Sequence, residues 1–412
     1  MAYLGRPGAT APLTTADIPD NSITAAKIVA DTIAAGDIGN AAVGTAEIAD
    51  DAVTGAKIEN NPTIAGNLTV SGDLVPSSPL SHRNMVINGA MQVAQRGNGP
   101  GTVTGGTGGC QSADRFVDYN NLVAANVTRE TTNGVLGTET GNTFNDVFPC
   151  SWKWASTTSD GMGAGNRLIF MYRFEGQDLQ HLAKGTANAK AVTLSFWVKS
   201  TQTGNHQVNI TDDNSRMIGA VYAVSSANTW EKKVITFAGD TTGGTIDNDN
   251  TQGMAIEWWL SAGSNYNSGA VPTSWEAETN ADRNAGGTIN TASGTSNYFQ
   301  ITGVQLELGS NATPFEHRSY GDELARCQRY YEKGGDSTVW GHPINRSGTG
   351  YRRGHIWFKV TKRVAPTVYT VTSSGSVDGS QSHTTAGMIA MWNSVADGNH
   401  VEIQSWTAGS EL

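Results

Sequence analysis

Cysteine and charge are both scarce in this sequence, and long apolar runs are missing. The three cysteines, Cys110, Cys150 and Cys327, are odd in number and widely spaced. That excludes a disulfide framework and a zinc site, and leaves free buried thiols as the expectation. Charged residues make up 16% of the chain and the net charge is −10. No basic stripe exists, which argues against nucleic-acid binding and against an anionic membrane surface. No apolar run approaches the ~20 residues of a spanning helix. The opening MAYLGRPGATAPL lacks the basic start and long apolar core of a secretory signal. What the chain does have is Gly, Thr, Ser, Asn and 11 Trp, a mix that reads as β-rich with many turns. Its 412 residues are enough for two to four domains with a real core.

Within this texture one stretch is regular. Leu13, Ile18, Ile23, Ile28, Ile33, Ile38, Val43, Ile48, Val53 and Ile58 fall at every fifth position. Small residues such as Ala16, Ala26, Gly36, Ala41, Ala46 and Ala56 stand two places earlier. Five residues advance about 500° on a helix, so no stripe forms. An odd spacing also alternates faces on a strand. The chain must therefore bend once per repeat. The small residue two places earlier resembles the pentapeptide-repeat pattern, which makes a square coil. A single-chain square coil would need ~20 residues per turn and would finish little more than two turns, short of the roughly three repeats that a stack needs. Several chains, three for preference, are expected to share the aliphatic axis, with Ile18 to Ile58 as the stalk core. Residues 1–12 read as an attachment leader, and 13–80 as stalk and linker.

From Ser81 the pattern becomes that of a globular β-domain. AVTLSFWVKS alternates, with Leu194, Phe196 and Val198 on one face and Ser195, Trp197 and Lys199 on the other. TWEKKVITFAG, GMAIEWWLSAG and NYFQITGVQLELG read as further strands. HRNMVINGAMQVAQRG carries an Asn88-Gly89 turn signal. GNGPGTVTGGTGG lacks the ending of a phosphate loop and reads as a plain loop. GDELARCQRYY predicts a short helix with Leu324, Cys327 and Tyr331 at helical spacing. Beyond it, strand alternation runs through Ile356, Phe358 and Val360, and GMIAMWNSVADGNHVEIQSW predicts two strands paired around Asp397-Gly398. The expected fold class is mainly β. It comprises a trimeric repeat stalk, a central β-sandwich or jelly roll over 81–333, a short helix, and a C-terminal β-sandwich module over 334–412.

FEGQDLQHLAKGTANAKAVTLSFWVKS, SANTWEKKVITFAGDTTGG and ITGVQLELGSNATPFEHRSYGDELARCQRYYEK resemble modules of bacteriophage tail fibre proteins. RNMVINGAMQVAQRG with SADRF is similar to the start of the same family, so the likeness covers about residues 81–333. The resemblance implies a homotrimer whose carbohydrate-binding-module-like jelly roll attaches a virion to a host surface polysaccharide. Its N-terminus would dock on a tail or adaptor protein. It implies no catalytic residues, and receptor residues in such fibres vary with host.

Two other readings stay open: a tailspike-type glycan depolymerase, and a structural connector or decoration protein. A depolymerase needs two carboxylates flanking a bond. Asp212 with Asp213, Glu276 with Glu278, and Asp247 with Asp249 are the candidate pairs, all in polar loop sequence. His342, His355 and His383 lack metal-ligand spacing. No cofactor is expected; the acid-rich stretch Asp240 to Asn250 is the one place suited to calcium, without the spacing of a dedicated loop. A pyranose needs a flat aromatic face beside polar groups. Alternation puts Trp197, Trp259 and Trp357 beside Lys199, Glu257 and Lys359, while Trp340, Trp392 and Trp406 lie in or near loops of the last module. Trp340 with His342, and Trp392, are the expected receptor contacts.

Overall fold

The structure is a computed structural model. It describes residues 81–97, 101–103, 107–109, 113–121, 125–131, 147–335, 351–366, 368–374, 383–384, 388–394 and 402–411. The leader, the stalk positions Ile18 to Ile58, Trp340 and His342 lie outside the described residues. The chain is mainly β, and among the described residues every strand pairing is antiparallel.

Two sheets form the sandwich. The first runs in the order β1 (Gly101–Val103), β4 (Ala125–Thr131), β5 (Cys150–Ser156), β13 (Tyr298–Leu308), β7 (Val192–Ser200), β10 (Glu231–Phe237). The second runs β12 (Glu276–Ala277), β9 (Arg216–Val224), β8 (Gly204–Asp212), β11 (Gln252–Ala262), β6 (Arg167–Glu175), β3 (Phe116–Asn120), β2 (Thr107–Gly109). The Gly-rich stretch read as a plain loop thus contributes two three-residue strands, β1 and β2. Strand alternation sends one set of side chains inward: Leu168, Phe170, Tyr172 and Phe174 from β6; Met254, Ile256, Trp258 and Leu260 from β11; Leu194, Phe196 and Val198 from β7. Each such burial stabilises the fold by roughly 1.5–3 kcal/mol. Aromatic rings fill the middle, with Phe116 stacked on Phe170 at 5.1 Å and Trp152 against Phe170 at 4.1 Å.

On β13 the core residues are Phe299 and Ile301, then Val304 and Leu306, so the parity changes partway along. The β13–β7 register shifts between Thr302 and Gln305, and Gly303 there has φ +61°. A bulge absorbs the extra residue and keeps both halves facing inward. A Cβ on Gly303 would come within 2.5 Å of the Phe148 ring, so glycine is required twice over.

The outward faces of the central strands are covered as well. Trp197 packs with Trp230, Phe148 and Ala90 over the first sheet. Over the second, residues 263–290 lie against β8. The Gln207 amide donates to the Asp282 carbonyl at 2.8 Å, the Asn209 amide donates to the Arg283 carbonyl at 2.7 Å, and Gln207 accepts from Gly286 N–H at 2.9 Å. Both polar side chains are fully buried in consequence.

The expected helix is present at Tyr320–Gln328, α2 after the single-turn α1 (Ser264–Asn267), and Ser319 caps it by accepting from the Asp322 N–H. Cys327 faces inward and is buried; Tyr331 is not on the helix but opens the next strand. Cys150 is likewise buried, and Cys110 lies outside the described residues. The C-terminal part forms two three-stranded sheets. One has the order β14 (Tyr331–Gly335), β19 (Glu402–Gly409), β16 (Val368–Ser374); the other has β15 (Tyr351–Trp357), β18 (Met388–Ser394), β17 (His383–Thr384). The hairpin expected around Asp397-Gly398 is therefore overturned, because β18 and β19 belong to different sheets. The alternation expected through Phe358 and Val360 also stops early, with β15 ending at Trp357. Beyond it, Lys362 is buried in an ion pair with Glu332 and also donates to the Gln328 carbonyl. Arg363 donates to the carbonyls of Asn250, Ser410 and Glu411 at 2.8–2.9 Å.

Candidate functional site

The three strand tryptophans have different fates. Trp197 and Trp259 have no exposed surface. The Trp259 indole N–H donates to Glu257 at 3.0 Å, and Glu257 is held in turn by Arg283 at 2.9 Å. These two rings are packing elements and present no face to solvent. Trp357 is 69% exposed at the end of β15. Its neighbour Phe358 is buried under the Lys362 ammonium, which sits 4.6 Å from the ring centre. The backbone thus turns one aromatic in and the next one out.

The register of this sheet places other residues beside Trp357. Trp357 pairs with Met388, His355 with Ala390, and Arg353 with Trp392, while Ala390 also pairs with His383. Directly opposed residues share a face, and alternate residues of one strand do too. Arg353, His355, Trp357, Trp392 and His383 therefore occupy positions on a single face of the β15–β18–β17 sheet. Of the expected receptor contacts, Trp392 falls on this face, and Trp340 and His342 lie outside the described residues. Arg353 was missed in the sequence, although its i, i+2, i+4 spacing with His355 and Trp357 was available.

One member of each acid pair is engaged in structural contacts. Asp212 is buried and pairs with Lys184, while its other oxygen accepts the Asn214 and Arg216 N–H groups at 2.9 and 2.8 Å. Glu278 pairs with Arg283, and Asp249 accepts the Thr251 hydroxyl at 2.7 Å. In the acid-rich stretch suited to calcium, Asp240 is buried and taken by two cations. Lys184 Nζ lies 3.1 Å and Arg216 Nε 2.7 Å from the same oxygen. Lys184 also donates to the Gly244 carbonyl at 3.2 Å and lies 4.8 Å from the Trp275 ring centre. Burial alone would raise the Asp240 carboxyl, yet the hydrogen bonds from Arg216 and Lys184 hold it far below the usual carboxylate range. The lysine ammonium thus supplies the positive charge that these oxygens need. Among the described residues no group of three or more acidic, His or Cys side chains is placed to hold a metal ion.

A second buried hub joins the sandwich to the C-terminal part. Glu175, fully buried at the end of β6, receives Arg329 Nε and Nη2 at 2.7 Å each, and the Tyr330 hydroxyl. Burial works to raise this carboxyl, but the Arg329 and Tyr330 hydrogen bonds outweigh it and hold it low. Arg115 stacks over Tyr330 at 3.4 Å.

No protein-family model matches the chain, and no curated protein matches it. Among solved structures, the chain is similar to the enzymatically active domain of tailspike protein 4 of bacteriophage CBA120. That match has 12% identity and a TM-score of 0.29, and covers 55% of this chain and 21% of that one. It is also similar to TmCBM61 in complex with β-1,4-galactotriose, at 7% identity and a TM-score of 0.27, over 55% of this chain and 99% of that one. A third is the family 11 carbohydrate-binding module of a cellulosomal cellulase of Clostridium thermocellum, at 14% identity and a TM-score of 0.23, over 54% and 99% of the two chains. At these scores the likenesses carry no argument about ligand or activity.

Proposed function

We propose that this chain is a bacteriophage tail fibre that attaches a virion to a host cell surface by holding surface glycan without cleaving it. One observation carries the reading: the face of the β15–β18–β17 sheet on which the 69% exposed Trp357 shares positions with Trp392, Arg353, His355 and His383. A flat apolar ring beside hydrogen-bonding groups is what a pyranose, with its apolar face and hydroxyl rim, requires. The tail-fibre resemblance over residues 81–333 supports the same reading, as does the two-sheet fold. The five-residue repeat supports a homotrimer, with residues 1–12 docking on a tail or adaptor protein. Three copies on one axis give avidity, since capture of one tip raises the effective concentration of the others.

The test uses fluorescently labelled full-length protein on candidate host cells, with glycan length measured in parallel. Wild type is expected to label the cells and leave the glycan intact. Trp357→Ala should weaken labelling by roughly five- to ten-fold per site, the worth of one aromatic contact. Shortened glycan would establish the depolymerase reading instead. Binding to virion proteins but to no cell would establish the connector reading.

A further inference from the structure

We infer that a second glycan subsite, at the end of the sandwich away from the Glu175–Arg329 joint, takes the carboxylate of an acidic sugar on Arg167. The inference rests on the adhesion reading and names the sugar class that it holds.

Arg167 opens β6, on the outward face of the second sheet. Its guanidinium lies near two tyrosine rings, 4.4 Å from the Tyr119 centroid and 5.2 Å from that of Tyr266. Nη1 donates to the Tyr266 hydroxyl at 3.2 Å, while Nε is buried and has no acceptor. No carboxylate among the described residues lies within ion-pair distance of it. That sets it apart. Arg96, Arg115, Arg216, Arg283, Arg318 and Arg329 each hold an acid. The acid close by in the chain, Asp160, is occupied by the Met162 N–H at 2.6 Å and by the Asn166 amide. An arginine left without a counterion in a chain of net charge −10 is a standing site for an anion.

The geometry favours a planar carboxylate. With Nε buried and one Nη1 N–H given to Tyr266, the second Nη1 N–H and those of Nη2 remain to match the two oxygens of a carboxylate. The Tyr266 hydroxyl, which accepts from Nη1, can donate to a ring oxygen of the same sugar. The floor behind the two tyrosines is apolar, made by Ile169, Met171 and the buried Trp259. Such a setting strengthens a charge-assisted contact by lowering the local dielectric. Arg167 and Glu175 are the two ends of a nine-residue strand, about 27 Å apart. An acidic glycan held here would contact the chain well away from the joint to the C-terminal part.

The experiment measures binding of full-length protein to immobilised uronate-bearing polysaccharides and to the same polysaccharides after chemical reduction of their carboxyl groups to alcohols. A sulfated dextran serves as a third surface. Wild type should bind the acidic forms at least about ten-fold more tightly than the reduced ones, the worth of a charged hydrogen-bonded contact. That preference should fade as salt is raised. Arg167→Gln should lose the preference and bind both forms alike, and Arg167→Lys should keep only part of it, since a lysine lacks the fork. Circular dichroism and the thermal midpoint confirm folding, and the lysine variant answers the question if the glutamine variant is unstable. Equal binding of acidic and reduced forms by wild type overturns the inference while leaving the adhesion reading intact. Arg167-dependent binding to sulfated dextran alone overturns the carboxylate assignment. Binding to none of the surfaces, and to no host cell, removes the adhesion reading and this inference with it.

Discussion

Asp118 offers a test of the core that can be worked through in numbers. It lies on β3, opposite Phe170 of β6, and shares the inward face with Phe116. Only 1% of it is exposed, and neither carboxylate oxygen is hydrogen-bonded to another residue. Burial pushes its carboxyl from 3.8 up to about 7. Since the folded value lies above the unfolded one, the folded state holds its proton longer. The contribution of Asp118 to stability is then fully present below pH ~4 and is lost as pH rises to ~7, after which the curve is flat. Three pH units at 1.36 kcal/mol each amount to about 4 kcal/mol. Asp118→Asn has nearly the same shape and does not titrate. Any fixed cost of the amide is independent of pH and cancels when one pH is compared with another. Urea unfolding of both proteins at pH 4.5 and pH 8 should therefore show the difference between them moving by about 3–4 kcal/mol in favour of the variant at the higher pH. A difference unchanged between the two values would refute the claim that this carboxylate sits uncompensated in the core.

Three further outcomes are expected. Lys184→Ala removes the ammonium shared by Asp212 and Asp240. It should cost about 3–5 kcal/mol by scanning calorimetry, as expected when a buried charge loses its partner. Glu175→Ala strands the Arg329 guanidinium and should cost a similar ~3–5 kcal/mol, with faster proteolysis in the C-terminal part. In the wild type the Glu175 contribution is present above the ordinary carboxylate range and is lost as pH falls below it, because its carboxyl is held low in the folded state. Sedimentation of the full chain should give a trimer, and deletion of residues 1–60 should give monomers; a monomeric full chain would remove the shared axis from the account.

Much of the sandwich was legible because its strands obey simple alternation. β7, β10 and β13 fall within the stretches read as strands, and β11 begins one residue before its stretch. Leu194, Phe196 and Val198 face the core as read. The helix was legible from its spacing, though Tyr331 obeys the spacing and yet begins a strand. What alternation cannot reveal is that the opposite face is also covered. Gln207 and Asn209 are polar residues on the outward face of β8, yet they bond to a backbone segment more than seventy residues away. Trp197 and Trp259 read as possible platforms and are buried for the same reason. Pairing partners are equally non-local: β18 and β19 are neighbours in the chain and belong to different sheets. The face holding Trp357 and Trp392 therefore emerges only from register, since β15 and β18 are joined by a long connection. Arg167 gave no sequence signal, because its site depends on Tyr119 and Tyr266 arriving from separate segments.

The central claim is that this chain grips surface glycan and does not process it. The most direct measurement is size-exclusion chromatography of full-length protein incubated with polysaccharide purified from a host that it labels, monitoring carbohydrate and protein together. The account predicts that the polysaccharide keeps its length and co-elutes with the protein, and that co-elution weakens in Trp357→Ala. Polysaccharide that emerges shortened, or that elutes apart from the wild-type protein, would contradict it.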